Sequence, residues 1–200
     1  MAAKNTARPR FTVPGLSVDG GQKIAGILQV RLHSLNDLQL TLKHAHWNVV
    51  GRDFIGVHQM LEPQILLVRA MTHEIAERIA TLGISPSGLP GELVKKRGWD
   101  DYSIGRAQTA EHLAALDLVY SGVTSSHRQA IEKAGKLDPV TEDMLIAHCA
   151  QLELFQWFMR APWRIPAAGL NMPGPRPKRL QQRKQGSRAA APLPLRPMNG

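Results

Sequence analysis

The chain has 200 residues, 43 % of them hydrophobic, a length that supports one buried core and argues against two. Its single cysteine, Cys149, excludes an internal disulfide, and the opening Met-Ala-Ala-Lys-Asn-Thr-Ala-Arg-Pro-Arg lacks the apolar core of a secretory signal. No stretch reaches the roughly 18 uncharged apolar residues that a bilayer span requires, so the expectation is a soluble, reduced, intracellular protein.

The formal charge of +9 is unevenly placed. Residues 1–18 carry +3, from Lys4, Arg8 and Arg10, with no acid. Residues 161–200 carry +8, from Arg164, Arg176, Lys178, Arg179, Arg183, Lys184, Arg188 and Arg196, again with no acid. Residues 19–160 are left with −2. Basic segments flanking a slightly acidic body point to a polyanionic partner such as nucleic acid. The division predicts a flexible tail over 1–18, a folded domain over 19–160, and a Pro/Arg-rich disordered tail over 161–200.

Within the body, Ile24, Leu28, Leu32, Leu35 and Leu42 predict a first helix over 22–49. A second, over 57–82, follows from Val57, Leu61, Val68, Met71, Ile75, Ile79 and Leu82, and stops at Gly83. Residues 84–103 read as a long crossover with a short helix near Trp99 to Tyr102. Two more helices are expected over 104–134 and 141–160, the last capped by Thr141 and stopped by Pro162. Alternating strand patterns are absent. The fold class is therefore all-α, and four long helices with a long crossover between the second and third resemble a ferritin-like four-helix bundle.

The residues with chemistry concentrate in His44-Ala45-His46-Trp47-Asn48-Val49-Val50-Gly51 and along the second helix. There His58 and Glu62 are four apart, as are His73 and Glu77, so each pair presents two ligands on one face. The step from Glu62 to His73 turns about 1100°, ~20° past three full turns, which puts all four on one stripe provided that Pro63 does not kink the helix. A rise of 1.5 Å per residue separates the pairs by ~22 Å, too far to share an ion within one chain. They combine only if a second copy packs antiparallel across a two-fold axis. Mixed nitrogen and oxygen donors suit iron, with zinc and manganese as competitors.

His46-Trp47-Asn48 with His58 twelve positions on, Ala76-Glu77-Arg78 beyond, and Phe155-Gln156-Trp157-Phe158 near the end resemble the Dps family, the DNA-binding proteins from starved cells, over about residues 11–160. The resemblance implies a ferritin-like homododecamer, cytoplasmic and nucleoid-associated. It would oxidise Fe(II) with peroxide or oxygen at a two-iron site between two-fold-related subunits, store ferric oxide, and bind double-stranded DNA without sequence preference. It gives His46, His58 and Glu77 iron-ligand roles and sets Trp47 beside the centre. Glu62 and His73 stand where the family usually has aspartate. The second exchange replaces an anionic oxygen donor with a neutral nitrogen, which leaves open an architectural DNA-binding oligomer with weak or no ferroxidase activity. Ser125, Ser126, His127 and Lys136 weaken the negative character expected of iron-uptake pores, with Glu132 and Asp138 as substitute carboxylates.

Overall fold

The computed structural model describes residues 11–161, all within the first of the two units into which the chain divides, 1–165 and 166–200. The lysines and arginines of the two basic tails all lie outside the described residues, whereas residues 11–18 of the expected N-terminal tail lead into and begin the first helix.

Helix α1 spans Val18–Asn48. It starts four residues earlier than the spacing of leucines predicts, because Ser17 caps it by accepting a hydrogen bond from the Gly20 amide at 3.0 Å. The five apolar residues that predicted it are all buried. Helix α2 spans Phe54–Thr81, and the seven apolar residues that predicted it, six within it and Leu82 at its cap, are likewise buried. Pro63 is its tenth residue, exposed, as is Gln59, whose carbonyl loses the amide partner that proline cannot supply. The helix runs through it without a break, so the stripe from His58 to Glu77 is kept. Past the helix, Gly83 takes a φ of 84° and the Ile84 amide bonds back to the Ile79 carbonyl, closing the end as expected.

The crossover differs in detail from the sequence reading. Its short helix, α3, is Pro90–Lys96 and not the segment from Trp99 to Tyr102. Pro90 presets the first turn, while Glu92 at the start and Lys95 and Lys96 at the end match the helix dipole. The Trp99 indole instead donates to Asp37 Oδ2 at 2.6 Å, and this tertiary bond ties the crossover to α1. A second tie is reciprocal: the Gln29 amide donates to Ser87 O and its oxygen accepts from Ser87 N. Two residue pairs, Val49 with Ala107 and Val50 with Gln108, form a parallel ladder between strands β1 (Val49–Val50) and β2 (Ala107–Gln108). Two residues are too few to leave an alternating pattern in a sequence. This ladder also delays α4, which spans Thr109–Gly135 and starts five residues later than expected.

Helix α5 spans Pro139–Arg160, and its cap is Asp138, not Thr141. The Asp138 carboxylate accepts from the amides of Val140 and Thr141 and from the Thr141 hydroxyl, and it pairs with Arg78 of α2 at 2.6 Å. Asp138 is thereby buried and committed, so it is no free carboxylate for a pore. The helices α1 with α2 and α4 with α5 form the two tight pairs of the bundle, and Leu28, Leu35, Leu61, Ile75, Leu116 and Leu152 lie fully enclosed between them. Across the pairs the Tyr120 hydroxyl donates to Gln64 Oε1 at 2.7 Å, a buried polar tie between α4 and α2. Among the described residues, no helix is long and apolar enough to cross a membrane.

Burial alone would discourage the Asp138 charge, but the hydrogen bonds from Thr141 and Arg78 outweigh it and hold the carboxyl below its usual range. A depressed carboxyl contributes stability that is present above the unfolded value near 4 and is lost as pH falls through the folded one. Asp138→Ala should therefore cost about 3 kcal/mol in chemical denaturation at pH 7, with a smaller difference from wild type in strong acid. A loss below about 1 kcal/mol at pH 7 would remove this pair from the framework.

Candidate metal centre

The last turn of α1 and the first turns of α2 face each other across the link 49–53. The chain reverses there because Gly51 takes a φ of 107°, a conformation that side chains with a Cβ resist. A Cβ at Gly51 would also collide with the side chain of Gln108. The reversal lays the His46 ring on the His58 ring, centroids 3.7 Å apart and planes 24° from parallel.

Each imidazole then makes the same bond in the opposite sense. His46 Nδ1 is 3.0 Å from the His58 carbonyl, and His58 Nδ1 is 3.0 Å from the His46 carbonyl. A carbonyl only accepts, so both Nδ1 atoms carry the proton. In the neutral rings Nε2 therefore keeps its lone pair, the arrangement that metal-ligating histidines use. Burial pushes the His46 imidazole below its ordinary value, which favours the neutral ring.

His46 Nε2 lies 3.6 Å from Glu62 Oε2, near enough for one small cation to bind both. The same carboxylate oxygen accepts from Lys43 Nζ at 2.8 Å, and this bond holds the Glu62 carboxyl below its usual range. Lys43 also stands 5.9 Å from the centre of the Trp47 ring, which is 70 % exposed. The sequence reading missed Lys43; its four-residue spacing to Trp47 was the available signal. Phe54 sets its ring against His58 edge to face, with centroids 6.4 Å apart.

His46, His58 and Glu62 are thus brought together, and His73 and Glu77 are not with them. The latter form their own pair, His73 Nε2 to Glu77 Oε1 at 3.3 Å, with side chains 72 % and 68 % exposed. Among the described residues, no group of three or more His, Cys, Asp or Glu side chains is arranged to hold a metal ion. One chain therefore presents two partial sets of nitrogen and oxygen donors, one half enclosed and one facing outward. His127, expected among the pore residues, is fully buried in the bundle, while Glu132 is exposed on α4.

Residues 26–163 match the family described as the ferritin-like domain. The chain is 58 % identical over 151 residues to the DNA protection during starvation protein of Mycolicibacterium smegmatis, covering 76 % of this chain and 82 % of that one. It is 53 % identical over 150 residues to the fine tangled pili major subunit of Haemophilus ducreyi, covering 75 % and 79 %. Among solved structures, DpsA14 from Streptomyces coelicolor superposes with a TM-score of 0.79 at 53 % identity, over 82 % of this chain and 98 % of that one. With this bundle, this stacked histidine pair and these relatives, the chain belongs to the Dps family of ferritin-like proteins.

Proposed function

We propose that the protein oxidises and stores iron as a homododecamer and protects DNA, with paired Fe(II) bound between two copies of the chain. The observation that carries this reading is the division of donors along α2. His46, His58 and Glu62 gather at its start, and His73 with Glu77 project outward ~22 Å further on. Two copies packed antiparallel along α2 would bring the first set of each to the second set of the other, giving two equivalent centres at one two-fold interface. Two metals in such a centre need to lie roughly 3.5 to 4 Å apart.

In this centre the Nδ1 bonds of His46 and His58 hold the ligand nitrogens in place, and an incoming cation competes with Lys43 for Glu62. Two Fe(II) give one electron each to hydrogen peroxide, which takes up two protons and leaves as two waters. No hydroxyl radical is released, which is the protection that DNA would gain. With oxygen as oxidant, reduction of one molecule to two waters takes four electrons and four protons, hence two turnovers of the same centre. Trp47, exposed beside Lys43, is placed to be oxidised in preference to more distant groups.

His73 supports the second reading, an architectural nucleoid protein that oxidises iron slowly. A neutral imidazole there replaces one negative charge that would stabilise Fe(III). Peroxide-driven Fe(II) oxidation separates the two. His46→Ala should slow it by at least about tenfold, since loss even of a supporting group costs a metal site that much. His73→Asp should oxidise iron faster than wild type. A slower His73→Asp would make the histidine a productive ligand, and indifference to His46→Ala would remove the centre itself. Light scattering on the same samples should find a dodecamer, and a monomer oxidising iron at the wild-type rate would sink the interface.

DNA binding is assigned to the tails, chiefly residues 161–200, whose +8 faces no acid in its own segment. Each phosphate neutralised contributes a salt slope of about −0.9, so half the tail engaging gives a steep dependence on ionic strength. Truncation after Arg160 should abolish most DNA retardation and leave iron oxidation intact. Full salt-sensitive binding by the truncated chain would move the contact to Lys4, Arg8 and Arg10.

A further inference from the structure

Deep in the bundle, away from the centre just described, three polar side chains on facing helices have donors with nowhere to go. Arg31 of α1 is 3 % exposed, His127 of α4 is 0 % and Thr124, one turn before it, is 7 %. Among the described residues, Arg31 Nη1, both His127 ring nitrogens and the Thr124 hydroxyl have no hydrogen-bond partner. His148 of α5 stands beside His127, ring centroids 6.1 Å apart; its Nε2 meets Glu74 Oε2 at 2.7 Å and its Nδ1 is also without a partner.

The protonation states make this an electrostatic problem and not only a shortage of acceptors. Burial lowers the Arg31 guanidinium to about 10, so it is still charged at neutral pH, and no carboxylate in the described residues is bonded to it. Burial, with the fields of Arg31 and His148 added, pushes His127 down to about 3, so it is a neutral ring that donates one N–H. Glu74, the carboxylate at the edge of the group, is already taken by His148. Because Arg31 is enclosed by its own chain, a second subunit has little of it to reach. An unpaired buried charge is strongly unfavourable. A trapped water would accept the hydrogen bonds and leave that charge uncompensated, whereas a small anion, which accepts from every donor, supplies both.

We propose that the interior of each subunit holds one small anion of the halide class, bound by the Arg31 guanidinium, a His127 N–H and the Thr124 hydroxyl. A halide is close to a water molecule in size, so the packed bundle has to open by little more than one water, about 30 Å³. The route inward is a groove of about 630 Å³ between α4 and α5, lined by Ser121, Thr124, Ser125, Arg128, Gln156 and Arg160 among others. Thr124 belongs both to that groove and to the inner donor set, while the charges at the mouth are paired, Arg128 with Glu153 and Arg160 with Asp117.

The test uses the full-length assembled protein. Crystals grown in sodium bromide should show an anomalous peak within hydrogen-bond reach of Arg31, absent in Arg31→Met. In solution, sodium chloride should raise the midpoint of thermal unfolding saturably by several degrees over sodium gluconate at matched ionic strength. Arg31→Met should lose that chloride-specific increment. Should Arg31→Met fail to fold, Thr124→Val, which deletes one donor and keeps the shape, should shift the half-saturating chloride concentration upward several-fold. A bromide map with only water or Glu74 beside Arg31 would overturn the proposal. So would equal stabilisation by chloride and gluconate, or a Thr124→Val midpoint curve superimposable on wild type.

Discussion

The reciprocal bonds between His46 and His58 are the constraint on which the candidate centre rests. The His46 carbonyl is in the last turn of α1, where a helix has no amide of its own to offer, and the His58 ring supplies the missing donor. The His46 ring returns the bond to the His58 carbonyl on α2. One exchange thus closes a helix end, sets the approach of two helices and fixes two tautomers. Each imidazole is held by the backbone of the other helix, so neither ring can turn without breaking a bond that the fold itself uses. The preorganisation that a metal centre requires comes here from secondary-structure capping rather than from a separate shell of side chains. Gly51 is the local condition for it, since only a tight reversal stacks the two rings.

Helix α2 carries the consequence along its length. Its core residues recur every three or four positions, and the donor residues follow the same period one or two places behind, at 58, 62, 73 and 77. A donor stripe beside an apolar stripe runs along the rim of the buried face. At the α1 end the neighbouring helix covers it, and the His46 side chain is 10 % exposed; further along, among the described residues, His73 and Glu77 stand in the open. The exposed pair is bonded to itself and makes no ion pair with any other described residue of its chain, whereas Glu62 is engaged by Lys43 and His46. This gradient along one helix is what makes the dimeric reading economical: each end has what the other lacks.

Most of this framework was legible because burial periodicity is a property of the sequence. The leucines of α1 and the apolar residues of α2 fell where the spacing put them, and Gly83 ended α2 as a left-handed glycine does. The misplacements share a cause, which is side chains acting across the fold. Trp99 was read as helix because its neighbours allow it, yet its indole is fixed by Asp37, sixty-two residues earlier. Asp138 was passed over as a cap in favour of Thr141, and the cap is distinguished by its ion pair with Arg78 on another helix. In the centre, the spacing of His46, His58 and Glu62 was visible, but the stacked rings and their exchanged carbonyl bonds depend on how two helices meet. His127 shows the same limit from the other side: grouped with Ser125, Ser126 and Lys136 in the expected pore region, it is fully buried on α4.

Of the two substitutions that set this chain apart from the usual ligand pattern, Glu62 keeps the charge and His73 changes it, and geometry decides how much each matters. Glu62 keeps the carboxylate one methylene further out, and that reach lets one oxygen meet both Lys43 and His46. His73 removes a negative charge at an exposed position, where water and salt screen part of the loss until a partner covers it. Covering it is the step at which the cost appears, because desolvation strengthens each remaining interaction with a trivalent ion and each missing one is felt in proportion. On the proposed reading, the effect of His73 on iron chemistry is therefore tied to assembly. Under the proposed two-fold packing, the more completely two copies enclosed the centre, the more the charge balance of Glu62, Glu77 and Lys43 would govern whether Fe(III) is held there or passed on.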